Sequence, residues 1–175
     1  MVNQTTVLLI DGYHIFRVVR NLGFDIDFSS LLTYYHKHTE LLRPYYFTTV
    51  LENDEYTPAK PLTDWLAYNR FTVITKEVRE TLDREGRRRV SGSIDVEIAV
   101  TLMEVAEFAG RIILFAGDGD YCRPVESVQR KGVHVTLVSS MKTNPIMVSD
   151  SLRRAVDAFQ ELDDLRDHIA RRMRT

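Results

Sequence analysis

Residues 111–125 read RIILFAGDGDYCRPV, and this stretch predicts how the rest of the chain folds. Its apolar run, IILFA, has the length and β-branched character of a buried strand. The run stops at two aspartates, Asp118 and Asp120, that are separated by one glycine. The residues that follow favour a helix over 123–131 and a second strand over 133–140. A strand, a helix and another strand in this order predict the βαβ unit of a parallel sheet.

The same alternation of strands and helices continues along the whole chain. Five strands are predicted, at 5–11, 44–52, 71–78, 111–117 and 133–140, with a brief edge strand at AFQEL and a loop or small hairpin around GRRR. Helices are predicted over 28–42 after a cap at Asp27 or Ser29, from Thr57 and Pro58 onward, between Ser93 and Gly110, and from Ser149 onward. This pattern predicts an α/β fold, a three-layer α/β/α sandwich with a mainly parallel sheet.

The composition excludes several classes of protein. The 175 residues are 44% hydrophobic and 27% charged, which is typical of one soluble globular domain. No apolar stretch reaches the ~20 residues that a membrane-spanning helix needs, and the N-terminus lacks the basic start of a signal sequence. Cys122 is the single cysteine, so no intramolecular disulfide is expected. We therefore expect a cytoplasmic protein without a membrane partner.

The last residues are predicted to form a charged helix over 163–175 that belongs to the same unit as the domain at 1–162. Leu162, Leu165, Ile169 and Met173 recur at helical spacing and form a narrow apolar stripe. Such a stripe either packs on its own domain or pairs with a second copy of the chain in a homodimer.

Aspartates lie where strands end or helices begin. Asp11 ends the first strand, Asp118 follows the fourth, and Asp95 opens a helix. In open α/β sheets, sites form beyond the carboxyl ends of the strands, and Mg²⁺ and Mn²⁺ prefer carboxylate oxygens. Each aspartate alone has a plainer explanation as a cap, a turn residue or a partner of the helix dipole. Together they predict a divalent-cation site, provided that the first and fourth strands are neighbours.

Basic and aromatic residues near these aspartates are candidates for binding a nucleic acid. Arg87, Arg88 and Arg89 precede the helix of Asp95 and would contact the phosphate backbone, although a solvated turn explains the same charges. Alternation along a strand would point Arg88 away from its two neighbours. Tyr13 lies close to the first aspartate and is the candidate for stacking on a base.

Four stretches in this order, LLIDGYHIF, SGSIDVEIAVTLME, LFAGDGDYCRPVESVQRKGVHVTLVS and SLRRAVDAFQEL, resemble NYN domains of the LabA-like group in the PIN-like nuclease superfamily. The resemblance implies a sheet with five core strands in the order 3-2-1-4-5. It implies an enzyme, a divalent-metal-dependent ribonuclease acting on RNA, and endonucleolytic cleavage is our hypothesis for its mode of action. It also implies that Asp11, Asp95 and Asp118 bind Mg²⁺ or Mn²⁺ and that Asp120 is a nearby supporting acid.

The chain departs from the family pattern at four positions. His14 replaces a usual asparagine, Ser91 a common lysine, Thr101 an acid found in many relatives, and Ala116 a usual serine. His14 is either a supporting residue that donates to a phosphate or holds a water, or a structural histidine. These departures leave two functions open, an active ribonuclease and a catalytically decayed domain that binds RNA or protein as a regulator.

Overall fold

The computed structural model describes residues 4–51 and 59–172. Seven strands in these residues form one sheet: β1 (Thr5–Asp11), β2 (Glu40–Leu51), β3 (Thr72–Leu82), β4 (Arg88–Ser91), β5 (Arg111–Phe115), β6 (His134–Ser139) and β7 (Ala158–Glu161). They lie in the order β4-β3-β2-β1-β5-β6-β7. All neighbours are parallel except β3 and β4, which form an antiparallel hairpin.

The predicted order of the sheet is confirmed. The five predicted strands are β1, β2, β3, β5 and β6, and counted in chain order they lie as 3-2-1-4-5. β1 is therefore central, with β2 on one side and β5 on the other. The hairpin strand β4 and the edge strand β7 extend the sheet at its two sides.

Helices cover both faces of this sheet: α1 (Gly12–Leu22), α2 (Phe28–His38), α3 (Lys60–Tyr68), α4 (Asp95–Val105), α5 (Cys122–Gln129), α6 (Asp150–Ala155) and α7 (Arg166–Ile169). The predicted cap of α2 at Asp27 is observed, and α6 begins directly after Ser149, where the sequence predicted a helix. The predicted start of α3 at Thr57 and Pro58 lies outside the described residues. None of the described helices is long and apolar enough to cross a membrane.

The central strand β1 contributes side chains to two separate cores. Val7, Leu8, Leu9 and Ile10 are all fully buried. Because successive side chains of a strand point to opposite faces, Val7 and Leu9 pack with α4, α5 and α6, and Leu8 and Ile10 pack with α1, α2, α3 and α7. The three-layer sandwich is thereby confirmed.

The sequence patterns did not predict α1. Its inner face is apolar at helical spacing, with Ile15, Val18 and Val19 buried in the core. The helix begins after Asp11, whose side chain accepts hydrogen bonds from the first turn. It ends at Gly23, which adopts a left-handed conformation with φ of 79°.

The predicted helix over 163–175 is wrong in its extent. A 3₁₀ turn covers Leu162–Leu165, and α7 ends at Ile169. The chain leaves the helix because Ala170 forms an antiparallel bridge with Ile26. The N–H of Arg171 also donates to the carbonyl of Asp25 at 2.7 Å. These contacts require extended backbone, which a continuing helix cannot supply.

The apolar stripe of this segment packs on the chain's own domain. Leu162, Leu165 and Ile169 are buried in the core beneath α2, whereas Met173 lies outside the described residues. Pairing of this segment with a second copy stays a prediction.

We expect Ile169→Ala to lower the free energy of unfolding by about 2–5 kcal/mol, because it opens a cavity in this core. Urea unfolding followed by circular dichroism measures the change. Leu82→Ala removes an exposed side chain of the hairpin and is the matched control, with an expected change below about 0.5 kcal/mol. Equal changes in the two variants would contradict the packing of α7 on its own domain.

Candidate functional site

Asp11, Asp95 and Asp118 line one cleft at the carboxyl edge of the sheet, with a volume of about 750 Å³. Asp11 is the last residue of β1, and Asp118 follows the end of β5, the strand directly beside it. Asp95 is the first residue of α4. The topology thus brings together three carboxylates that are far apart in sequence.

The carboxylate of Asp11 is buried at the base of this cleft, with 9% of its surface exposed. Its Oδ1 accepts hydrogen bonds from the backbone N–H groups of Tyr13 at 3.1 Å and His14 at 3.0 Å. Burial raises the pKa of Asp11 to about 6, and the charges of Asp95 and Asp118 act in the same direction against those two hydrogen bonds. A negative charge at this position is therefore unfavourable without a compensating cation.

Asp95 is held by a residue that sequence reasoning missed. The hydroxyl of Tyr121, a side chain only 1% exposed, donates to Oδ1 of Asp95 at 2.6 Å. Burial, the bond to Asp95 and the charges of the three acids raise the pKa of Tyr121 well above its usual range, so the hydroxyl remains a donor. Tyr121 stands in the quoted GDGDY motif, but only the fold shows that its ring points towards Asp95.

The predicted pair Asp118 and Asp120 divides into two different roles. Asp118 lines the cleft, and its Oδ1 accepts a hydrogen bond from the backbone N–H of Asp120 at 2.9 Å. This bond caps the 3₁₀ turn Gly119–Tyr121. The exposed side chain of Asp120 does not line the cleft, so this residue supports Asp118 through its backbone.

His14 lies at the wall of the cleft in a structural setting. Its Nε2 is 2.9 Å from the hydroxyl of Ser139, at the end of β6. Burial and the nearby charge of Arg17 lower the pKa of His14 to about 4, against the opposite effect of Asp118. The imidazole is therefore neutral near pH 7. A Cβ on Gly117 would overlap this ring and lie 2.5 Å from the carbonyl of Met147, so only glycine fits there.

The other departures from the family pattern also have plain structural settings. Thr101 is buried on α4, and its hydroxyl donates to the carbonyl of Glu97 at 2.8 Å. Ser91 is exposed at the end of β4, and Ala116 is fully buried just after β5.

The three predicted arginines do not line the cleft. They lie on the β3–β4 hairpin, where each is exposed and paired with an acid of the same hairpin. Arg87 and Arg89 pair with Asp83 at 3.1 and 3.3 Å, whereas Arg88 pairs with Glu80 at 3.2 Å. Arg88 therefore has a different ion-pair partner from its two neighbours. Arg87 also pairs with Glu85.

The basic residue that does line the cleft is Arg17 of α1. Its guanidinium carbon is 5.6 Å from the ring centroid of Tyr13, which is 65% exposed at the mouth of the cleft. Sequence reasoning selected Tyr13 but missed Arg17, because the spacing of these residues has meaning only once α1 is known to be a helix.

Whether the three acids can hold a divalent cation depends on which of their oxygen atoms are available as ligands. Among residues 4–51 and 59–172, no three or more His, Cys, Asp or Glu side chains form a group that could hold a metal ion. Asp11, Asp95 and Asp118 each use Oδ1 in a hydrogen bond, and no described residue bonds to Oδ2 of any of them. Mg²⁺ is commonly bound by one or two carboxylates and keeps several waters. These acids therefore suit a hydrated ion rather than one ligated by all three side chains.

In metal-free buffer, we expect Asp11→Asn to raise the free energy of unfolding at about pH 7.5 by up to about 3 kcal/mol. The carboxyl has its pKa raised from 3.8 to about 6, so its ionisation opposes folding, while asparagine keeps the helix cap. The gain should shrink as the pH falls through about 6 towards 4, where the wild-type carboxyl becomes protonated in the folded state. Urea unfolding across this pH range measures it.

The matched control for that substitution is Asp27→Asn at the cap of α2, which lies away from the cleft. It should show no comparable gain at about pH 7.5. An Asp11→Asn variant no more stable than wild type would contradict the raised pKa of Asp11, and with it the unfavourable burial of this charge beside the other two acids.

We expect Tyr121→Phe to lower the free energy of unfolding by about 1.5–3 kcal/mol, because it removes a hydrogen bond to a charged group and keeps the ring. Tyr35→Phe is the matched control. It removes a bond to the neutral amide oxygen of Gln160 at 3.0 Å, and its expected loss is about 0.5–1.5 kcal/mol. Thermal or urea unfolding compares the two. A Tyr121→Phe variant with the stability of wild type would show that the hydroxyl does not hold Asp95.

Comparison with known proteins agrees with this architecture. The chain is similar to low amplitude and bright protein LabA of Synechococcus elongatus, with 29% identity over 166 residues that cover 93% of this chain and 86% of that protein. Its fold is similar to the crystal structure of a protein of unknown function, VPA0982 of Vibrio parahaemolyticus. The TM-score is 0.71, at 23% sequence identity and with 96% of this chain and 97% of that chain covered. The model of the NYN domain matches residues 5–163. The resemblance found in the sequence is confirmed, and the chain belongs to the NYN domain family.

Proposed function

We propose that the acidic cleft is the active site of a divalent-metal-dependent ribonuclease that acts endonucleolytically. The observation that carries this proposal is the gathering of Asp11, Asp95 and Asp118 in one open cleft, with Asp11 kept there although burial opposes its charge. Such an unfavourable carboxylate is typical of functional sites. Membership in the NYN family, which we group with the PIN-like nucleases, supports the same chemistry.

Asp11, Asp95 and Asp118 would hold Mg²⁺ or Mn²⁺. When bound, such an ion lowers the pKa of a water molecule and stabilises negative charge on a phosphodiester. The protein's own contribution is orientation. Three backbone N–H groups and the hydroxyl of Tyr121 bind the Oδ1 atoms and thereby fix the orientation of the three side chains. These side chains would therefore lose little conformational freedom when their Oδ2 atoms bind a ligand.

Arg17 would hold a phosphate at the mouth of the cleft. It is the arginine among the lining residues, and no described acid forms an ion pair with it. Neutral His14 can accept or donate a hydrogen bond but cannot supply positive charge. We therefore assign to Arg17 the phosphate contact that the sequence suggested for Arg87, Arg88 and Arg89.

A second function, binding of RNA without cleavage, is supported by other features of the same cleft. His14 is bonded to Ser139, and Thr101 is bonded to a backbone carbonyl where many relatives have an acid. No described group of three or more potential ligands could hold a metal ion. A decayed nuclease that acts as a regulator would retain the cleft and its RNA contacts but lack turnover.

We expect the purified protein to cleave a mixed-sequence single-stranded RNA in the presence of Mn²⁺ or Mg²⁺ and to lose activity in excess chelator. Asp118→Asn keeps the cap of the 3₁₀ turn but removes a charge, and should lower the rate about 10–100-fold or more. Asp64→Asn, an exposed residue of α3 paired with Lys60, is the matched control and should cleave like wild type. Gel analysis of end-labelled RNA gives the rates.

Two outcomes would overturn the ribonuclease assignment. Cleavage that persists unchanged in Asp118→Asn would identify a contaminating nuclease. RNA binding without cleavage at any Mn²⁺ concentration would favour the regulator. A shift of the melting temperature with Mn²⁺ in wild type, absent in Asp118→Asn, separates loss of metal binding from loss of turnover.

A further inference from the structure

The outer face of α1 carries two aromatic and two basic side chains that no other part of the described structure covers. Tyr13, Phe16, Arg17 and Arg20 are all exposed, Tyr13 at 65% and Phe16 at 54%. They lie three, one and three residues apart, which places them on one side of the helix. Exposed large aromatic side chains in a contiguous patch mark an interaction site more often than scattered ones do.

Each arginine of this face lies over an aromatic ring. The guanidinium carbon of Arg17 is 5.6 Å from the ring centroid of Tyr13, and that of Arg20 is 5.5 Å from that of Phe16. Both distances are within the range of a cation–π interaction. In the part of the chain that the structure describes, neither arginine forms a salt bridge. Three arginines of the hairpin, Arg87, Arg88 and Arg89, by contrast, form ion pairs with acids of that hairpin.

The face is continuous with the acidic cleft. Tyr13 and Arg17 line the cleft, whereas Phe16 and Arg20 continue along α1 beyond it. Eight residues of helix extend over roughly 10 Å, which is enough for about two or three nucleotides of a single strand. A strand bound along α1 would therefore enter the cleft at its Tyr13 end.

The chemistry of the face matches a single strand and not a duplex. Aromatic rings stack on bases that are unpaired, and a duplex presents no free base faces at its surface. Unneutralised guanidinium groups complement phosphates, and α1 contains no acidic residue that would repel them. A protein partner would also accept arginine and aromatic side chains. The two ring–guanidinium pairs, which lead along one helix face to an acidic cleft, favour the nucleic acid.

We infer that the outer face of α1 is a binding track for single-stranded RNA, on which bases stack on Tyr13 and Phe16 and phosphates contact Arg17 and Arg20. The part of this inference that leads the strand into the cleft rests on the proposed function. Its binding chemistry does not depend on turnover, since stacking and phosphate contacts form without a metal. The track has little sequence preference, because every base offers a ring face.

The test is fluorescence anisotropy with a labelled twelve-nucleotide RNA of mixed sequence in excess chelator, so that binding is measured without cleavage. The same strand annealed to its complement is the duplex probe. Phe16→Leu and Arg20→Gln alter the track outside the cleft. Tyr68→Leu, at an 89% exposed tyrosine of α3, and Arg123→Gln, an exposed arginine of α5, are the matched controls.

We expect Phe16→Leu to weaken single-strand binding about fivefold or more, equally for different sequences. Arg20→Gln should reduce the slope of log affinity against log salt concentration by about 0.7, the value for one phosphate contact on a single strand. Both controls should bind like wild type, and the wild type should prefer the single strand to the duplex. The two track variants should also keep the melting temperature of wild type, because both positions are exposed.

Two outcomes would overturn the inference: equal affinity for single strand and duplex, and wild-type RNA affinity in both track variants. If the second outcome is accompanied by a changed oligomeric state of those variants, the face is a protein contact. Light scattering after gel filtration detects such a change. RNA binding that needs the track but is never followed by cleavage would overturn the proposed ribonuclease alone. Cleavage that needs Asp118 but not Phe16 or Arg20 would overturn the track alone.

Discussion

Three carboxylates held together at one edge of a sheet are the constraint on which this structure depends. Parallel pairing of β1 with β5 places Asp11 beside the turn that carries Asp118, and α4 brings Asp95 to the same cleft. Burial of the Asp11 carboxylate, together with the nearby charges of Asp95 and Asp118, opposes folding, and this opposition appears in the raised pKa of Asp11. The two hydrophobic cores that pack on either face of β1 supply the stability that offsets this unfavourable charge. A domain selected for stability alone would have replaced at least one of these acids.

The acids are also part of the backbone architecture, so the site and the fold cannot vary independently. Asp11 caps α1, and Asp118 caps the 3₁₀ turn before α5. Asp95 is tied to that same turn through Tyr121, whose ring is buried in the core. Each carboxylate thus has one oxygen that stabilises local structure and another that has no hydrogen-bond partner among the described residues and would bind a ligand in the proposed function. Asparagine can replace the first function but not the second, since it keeps the cap without the charge.

The sequence predicted what depends on local pattern. Buried strands, the cap of α2 and the acids at strand ends all follow from short-range rules, and the five-strand order came from the family resemblance. Three features depended on contacts between distant residues. The role of Tyr121 needs the fold that brings Asp95 to it, and the early end of α7 needs the bridge between Ala170 and Ile26. The third, α1, has a recognisable apolar stripe, but its β-branched residues do not favour a helix without the core they bury in.

The net charge of −2 conceals a separation of charge that the proposed binding of RNA would use. Three acids line the cleft, whereas Arg17 and Arg20 of α1, which have no ion-pair partner among the described residues, lie beside it and along the helix. Because Asp11 caps α1, the basic face and the most buried acid are joined by a single rigid element. A phosphate chain is repelled by the cleft unless a cation occupies it, yet is attracted to the helix beside it. Binding along α1 and capture of a cation would therefore assist each other. The cation reduces the repulsion between the cleft and the phosphates, and the phosphates add negative charge that attracts the cation.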